Sequence, residues 1–169
     1  MTRSPSRVQL LLARLALGLT ITFAVAGAIW HGLSGEVLAR IWENILERPG
    51  GPMTFRFILQ PVMAAAAALV DGTRDARIGR AAFIRTILTS PEERTERMHE
   101  ALISTARIVL LGLAMDTIYQ ALVFETFHPG EAAIVALLLA FVPYVLLRGP
   151  FTRVAGWWFG STARGRSPR

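Results

Sequence analysis

Four long apolar stretches constrain this chain more than any other feature of its sequence. They cover residues 15–33, 54–70, 108–127 and 132–147. A helix rises about 1.5 Å per residue, so roughly 20 apolar residues cross the hydrocarbon layer of a bilayer. The second and fourth stretches are somewhat shorter, a difference that interfacial residues or local thinning of the bilayer accommodates. The sequence therefore predicts an all-α polytopic membrane protein with four transmembrane helices in one transmembrane domain, residues 15–147.

The basic residues predict how the chain is oriented in the membrane. All eighteen are arginine, and fifteen of them fall in residues 1–14, 71–107 and 148–169. The other three, predicted on the opposite side, are Arg40, Arg48 and Arg56. Cytoplasmic flanks of membrane helices are enriched in Arg and Lys, so both termini and the segment 71–107 are predicted to be cytoplasmic. A basic inner face also accounts for the net charge of +6 without a nucleic-acid partner.

The first apolar stretch also fits, loosely, a cleaved signal peptide. A basic region precedes it, and the small residues "AVA" at 24–26 would form the cleavage site. The apolar run continues past this site through Ile29 and Trp30, which favours a retained span. Cleavage would leave three spans with the same orientation.

Short amphipathic segments are predicted outside the spans. Residues 36–47 repeat apolar side chains at helical spacing, which predicts a helix lying at the outer interface. On the inner side, Asp71-Gly72 is expected to end the second span, followed by an arginine-rich loop and helix at residues 71–107. The basic tail, residues 148–169, is expected to be anchored by its aromatic residues and disordered at its end.

Asp116 is a carboxylate near the middle of the third apolar stretch. Such a group at the bilayer centre costs about 2.5–3.5 kcal/mol on insertion scales. Tyr119 and Gln120 share its helix face, and Gln60 and Thr22 fall at a similar depth, so we expect these five residues to form a polar cluster. No arginine is expected at that depth, so Asp116 is predicted to be protonated or bonded by amide and hydroxyl donors. Three roles remain open: helix packing, a proton or ion relay, and pairing with a span of a partner protein.

The inner loop begins with the motif "DGTRDARIGR", which is rich in both arginine and aspartate. Guanidinium groups pair well with phosphate, so Arg74, Arg77 and Arg80 are predicted contacts for a phosphate or a lipid head group. The alternative is an ordinary basic loop next to the membrane, with internal ion pairs.

No metal, cofactor or catalytic residue is predicted. The chain has no cysteine, which excludes disulfides, thiolate metal sites and cysteine nucleophiles, and it has no glycine-rich phosphate loop or His-x-x-His pair. The alternative is a metal site on the outer side that combines His31 and Glu36 with His128 and Glu131.

The runs "ILQPVMAAAAALVDGTRDARIGR", "MDTIYQ" and "FVPYVLLRGP", within residues 55–150, resemble a group of small four-span bacterial inner-membrane proteins of uncharacterised activity. The resemblance implies a bacterial inner membrane and no particular activity. Small size, short connections and the missing catalytic pattern predict a non-enzymatic accessory, assembly or structural component. Its partners would be the lipid bilayer and other membrane subunits or further copies of the chain. The alternative is a small oligomeric transporter or channel that uses Asp116.

Overall fold

The computed structural model describes residues 5–32, 34–47, 54–123 and 127–164, and every regular element in them is a helix. The helices are α1 (Arg7–His31), α2 (Gly35–Glu47), α3 (Arg56–Arg77), α4 (Phe83–Thr89), α5 (Pro91–Val123) and α6 (Pro129–Arg164). The all-α prediction is confirmed for these residues, and α2 coincides with the predicted amphipathic helix at 36–47.

The four longest helices form a bundle in which α1 and α5 run parallel, while α3 and α6 run in the opposite direction. At one end, Gln9 of α1 lines the same pocket as Glu100 of α5 and Arg148 of α6. At the other end, the ring of His31 stacks on that of His128, with 4.5 Å between the ring centroids. We call these the Arg148 end and the His31 end. Both α1 and α3 pack on α5 and α6 far more than on each other.

Around an apolar core rich in alanine, the bundle exposes many large apolar side chains and buries several charged ones. Leu15 and Ile21 of α1, for example, are 51% and 53% exposed. The charged residues with the deepest burial, each 2% exposed or less, include Arg56, Asp75, Arg97, Asp116 and Arg148. Soluble proteins show the opposite distribution, because unpaired charges are costly to bury. Three helices are long and apolar enough to cross a membrane: α1, α5 and the part of α6 from Pro129 to Phe159.

The second predicted span falls on α3, which differs from the other three. By composition, α3 is not among the helices that are apolar enough to cross a membrane. Three of the four predicted spans therefore fall on sufficiently long and apolar helices, and the second does not. The prediction that this helix ends at Asp71-Gly72 is wrong. It continues to Arg77, and the chain turns at Gly79, whose φ of 69° is readily adopted only by glycine. Asp71-Gly72 failed as a stop signal because Asp71 accepts hydrogen bonds from α5 and α6 and Gly72 packs directly against α6.

Helix α6 continues well beyond residue 147, where the fourth span was predicted to end. Arg148 is buried rather than placed at the membrane surface, and the helix reaches Arg164. The predicted tail is therefore helical as far as that residue. The disorder predicted for its end falls largely on residues 165–169, which lie outside the described residues.

Gly72 allows α3 and α6 to approach each other closely. A Cβ atom at this position would lie 2.9 Å from the backbone oxygen of Arg148 and 2.9 Å from Cβ of Phe151. Small residues that let helix backbones approach are typical of packing in membranes, where lipid is as apolar as the helix surface. This close contact brings Asp71 and Asp75 of α3 within reach of α6.

We predict that Gly72→Ala destabilises the bundle, because a methyl group must push α3 and α6 apart. Overpacking of this kind costs about 1–3 kcal/mol. The matched control is Gly156→Ala on α6, where an added Cβ meets nothing within 4 Å. The control should be neutral or stabilise by up to about 1 kcal/mol, because alanine is the better helix former. Thermal unfolding in detergent measures both variants, and equal midpoints would contradict the predicted close contact.

Candidate functional site

One polar face of α5 lies in the interior of the bundle. Asp116, Tyr119 and Gln120 are each 5% exposed or less. Gly112, one turn earlier, lies against α6, where an added Cβ would be 3.0 Å from Cβ of Ala136. The structure thus brings together the three predicted site residues of α5.

The partner of Asp116 is Arg56, the first residue of α3. Nη2 of Arg56 donates to Oδ1 of Asp116 at 2.6 Å, and the two side chains are 1% and 0% exposed. The guanidinium also lies over the ring of Tyr119, 5.1 Å from its centroid. The expectation that no arginine reaches Asp116 is therefore wrong. Arg56 was predicted on the outer side because it lies at the outer end of the second apolar stretch, whereas its side chain turns into the bundle and is 1% exposed.

Gln120 connects this ion pair to the chain that leads into α6. Its Nε2 donates to Oδ2 of Asp116 at 2.7 Å and to the backbone oxygen of His128 at 3.1 Å. Its Oε1 accepts from the backbone N–H of His128 at 2.6 Å. Both carboxylate oxygens of Asp116 therefore accept a hydrogen bond, and the amide of Gln120 is held in one orientation.

Gln60 and Thr22, the other two predicted members, have different surroundings. Gln60 is 1% exposed, and its Nε2 lies 4.0 Å from Sδ of Met115. Thr22 is exposed on α1 and donates to the backbone oxygen of Gly18 at 2.8 Å, so it is not part of the cluster. Gln60 is buried in the bundle, as a place in the cluster would require, whereas depth along a helix does not tell which face of α1 meets the bundle. The resulting Asp116 cluster consists of Arg56, Asp116, Tyr119 and Gln120.

Three members of the alternative metal site, His31, His128 and Glu131, line one pocket at the His31 end. His31 stacks on His128 and places its Nε2 3.2 Å from the backbone oxygen of Phe127. Across the described ranges, no three His, Cys, Asp or Glu side chains come together in a way that could hold a metal ion.

A second set of buried charges lies at the Arg148 end, centred on Asp75 of α3. Oδ1 of Asp75 accepts from Arg97 of α5 at 2.9 Å, and Oδ2 accepts from Nε of Arg148 of α6 at 2.9 Å. All three side chains are 3% exposed or less. One carboxylate therefore joins three helices that are far apart in sequence.

Glu100 extends this arrangement towards solvent. Its Oε2 accepts from Arg148 at 3.0 Å and from Arg97 at 3.2 Å, and its Oε1 accepts from Arg80 at 2.8 Å. The hydrogen bond to Glu100 raises the pKa of Arg80 above its ordinary value, helped by the negative charge of Glu96. Arg80 is 33% exposed, so the network passes from a buried centre to an accessible edge.

Asp71 is held in the same region by two hydroxyl groups. Its Oδ2 accepts from Ser104 at 2.6 Å and from the hydroxyl of Tyr144 at 2.7 Å. The Tyr144 oxygen in turn accepts from Nη1 of Arg148 at 2.9 Å. We call the whole set the Asp75 network, and its members are Asp71, Asp75, Arg80, Arg97, Glu100, Tyr144 and Arg148.

Helix α4 covers the Asp75 network. Phe83 is fully buried, and its ring centroid lies 4.7 Å from the Arg148 guanidinium carbon and 5.5 Å from that of Arg97. An aromatic face favours a cation at such distances. Sequence reasoning missed this network, although each helix carries a polar pair at helical spacing. The pairs are Asp71 and Asp75, Arg97 and Glu100, and Tyr144 and Arg148.

The three predicted phosphate or head-group contacts are placed in three different ways. Arg80 is engaged in the Asp75 network. Arg77 is exposed and turned towards the ring of Phe159, 5.2 Å from its centroid. Arg74 is exposed and lines a pocket of about 460 Å³ at the Arg148 end. This pocket lies between the ends of α1, α3 and α5, and Asp71, His99 and Glu100 also line it.

No family model, curated protein or solved structure matches this chain. The resemblance to small four-span bacterial membrane proteins therefore stays a prediction. The features that bear on function are the Asp116 cluster, the Asp75 network and the distribution of apolar surface.

We predict strong coupling between Arg56 and Asp116 in a double-mutant cycle. Asp116→Asn or Arg56→Gln alone leaves one buried charge without its partner, which costs about 3–5 kcal/mol. The double variant removes both charges, so it should be less destabilised than the sum of the single variants by about 0.5–3 kcal/mol. Unfolding in detergent measures the four proteins, and simple additivity would show that the pair does not act as a unit.

We also predict that Asp75→Asn destabilises the protein much more than Glu96→Gln. Asparagine directs an amide N–H towards guanidinium groups and leaves two buried arginines short of a carboxylate, at a cost of about 3 kcal/mol or more. Glu96 contacts Arg80 at 3.3 Å but is 66% exposed, and such surface pairs contribute about 0–1 kcal/mol. The comparison uses unfolding midpoints in one detergent. Equal losses would argue against Asp75 as the centre of the network.

Proposed function

We propose that this chain is a four-span, non-enzymatic component of a bacterial inner membrane, with the Arg148 end of its bundle facing the cytoplasm. The observation that carries the proposal is the parallel direction of α1 and α5. If both cross the membrane in the same direction, the chain between them must return across it. Among the described residues of that connection, only α3 has the length to do so, since its 22 residues extend about 33 Å.

The two faces of α3 support its insertion in spite of its composition. Arg56, Gln60 and Asp75 are buried against α5 and α6. Ile58 and Val70 on the opposite face are 69% and 66% exposed. A helix that covers its polar residues with protein and exposes apolar residues suits a lipid environment, even where its average hydropathy is low.

The arginines that remain exposed support the proposed orientation. Arg56, Arg97 and Arg148 are engaged in internal ion pairs, so they say nothing about the membrane side. Exposed arginines at or towards the Arg148 end are Arg7, Arg14, Arg74, Arg77, Arg85, Arg94, Arg107 and Arg153. At the His31 end, Arg40 is exposed. Exposed basic residues concentrate on the cytoplasmic side of membrane proteins.

The state of Asp116 supports a structural role over transport. A relay would need a carboxylate that exchanges its proton or ion, whereas this one is held by Arg56 and Gln120 in a fully buried position. The accessory role, with other membrane subunits or further copies as partners, is the proposal that agrees with this. Proton or ion flux in vesicles that disappears in a folded Asp116→Asn variant would instead favour a small oligomeric transporter.

The topology is tested with single cysteines, because the native chain has none. Glu36→Cys and Glu92→Cys replace two exposed glutamates, one at the start of α2 and one at the start of α5. In intact cells, a membrane-impermeant maleimide should label Glu36→Cys and should label Glu92→Cys only after lysis. Labelling of both from outside would mean that α3 does not cross, and the reverse pattern would overturn the orientation.

A further inference from the structure

The pocket at the Arg148 end contains two opposite charges that the protein leaves without an ionic partner. Asp71 accepts hydrogen bonds from Ser104 and Tyr144 through Oδ2, but it forms no ion pair within the described residues. Arg74, one turn later on α3, is exposed to the pocket and likewise has no carboxylate partner in the described ranges. The other arginines around the pocket, Arg80 and Arg148, are engaged in the Asp75 network.

The two unpaired charges lie on the same side of α3. Residues three apart on a helix have Cβ atoms about 5–6 Å from each other. Asp71 and Arg74 are therefore close enough to bind the same small ligand. A ligand that satisfies both has an anionic group for the guanidinium and a cationic donor for the carboxylate, a short distance apart. Phosphate suits arginine because both present several hydrogen-bonding atoms in a fixed geometry.

The location of the pocket favours a ligand from the membrane. Residues of both α1 and α3 line it, and these two helices pack on α5 and α6 rather than on each other. Ile78, which lines the pocket, is 49% exposed, and Val8 and Val70, the chain neighbours of the lining residues Gln9 and Asp71, are 59% and 66% exposed. Acyl chains lying along such a surface would bring a lipid head group to the level of Asp71.

We propose that this pocket binds the head group of a phospholipid with a primary ammonium group, such as phosphatidylethanolamine. Arg74 holds the phosphate, and the free Oδ1 of Asp71 accepts a hydrogen bond from the ammonium group. Ser104 and Tyr144 keep the Asp71 carboxylate oriented by occupying its other oxygen. The proposal rests on the proposed function in one respect, which is that the pocket lies in the cytoplasmic leaflet.

The test uses the purified full chain in detergent and three phospholipids with identical acyl chains. Native mass spectrometry compares binding of phosphatidylethanolamine, phosphatidylcholine and phosphatidylglycerol. Phosphatidylethanolamine should bind most tightly, because the quaternary ammonium of phosphatidylcholine has no N–H to donate and phosphatidylglycerol has no cation. Equal binding of all three lipids would overturn the proposal.

Two variants and a matched control locate the site. Arg74→Gln should weaken phosphatidylethanolamine binding about tenfold, because it removes a charge-assisted contact with the phosphate. Arg77→Gln removes an exposed arginine of α3 that does not line the pocket, and it should leave binding unchanged. Asp71→Asn keeps an acceptor for Ser104 and Tyr144 but should abolish the preference for phosphatidylethanolamine over phosphatidylglycerol. Equal effects of Arg74→Gln and Arg77→Gln would show that lipid binds by surface charge alone.

Unfolding midpoints and a soluble competitor complete the experiment. If Asp71→Asn lowers the unfolding midpoint, its binding result is set aside and Arg74→Gln is the deciding variant. Arg74 is exposed and lies outside the Asp75 network, so its replacement should not affect folding. Free phosphoethanolamine that displaces the lipid at equal affinity would identify a soluble ligand and overturn the membrane source. Detergent has no sidedness, so failed lipid binding leaves the four-span topology standing. A reversed cysteine-labelling pattern would overturn the topology without affecting the binding result.

Discussion

The structure depends on neutralising charges where neither water nor lipid can do so. Asp75 accepts hydrogen bonds from both Arg97 and Arg148, so a single carboxylate ties α3 to α5 and α6. Each of these groups would be expensive to bury alone, and a membrane gives no alternative partner. The three helices are therefore held in one register by the need to keep these charges together. Gly72 makes this possible because it lets the α3 backbone lie directly against α6.

The same constraint explains why α3 resembles a surface segment in composition while its exposed face is apolar. Arg56 and Asp75 sit near its two ends and turn inward, Arg56 to Asp116 and Asp75 to Arg97 and Arg148. The mean hydropathy of α3 is low because it averages this buried polar face with the apolar face on the outside of the bundle. The arginines divide in a corresponding way. Those inside compensate carboxylates, and those outside are available to report which side of a membrane they face.

The two charge sets differ in their access to the surroundings. The Asp116 cluster is closed, with its carboxylate engaged on both oxygens and its arginine 1% exposed, which suits a clamp between helices. The Asp75 network reaches the surface through Arg80 and adjoins a pocket where Asp71 and Arg74 are available. Binding chemistry therefore belongs to the second site, although the first contains the residue that stands out most in the sequence.

The helical class, the three apolar helices, the amphipathic α2 and the inward polar face of Asp116, Tyr119 and Gln120 could all be predicted from the sequence. These follow from composition and from the 3.6-residue period, both of which are local properties of the chain. Three features could not be predicted: Arg56 pairs with Asp116, Thr22 faces away from the bundle, and α3 and α6 continue past their predicted ends. All three depend on how the helices pack. Ion pairs such as Asp75 with Arg148 join residues 73 positions apart. Which charge neutralises which depends on how the helices rotate and approach each other, and no local pattern contains that information.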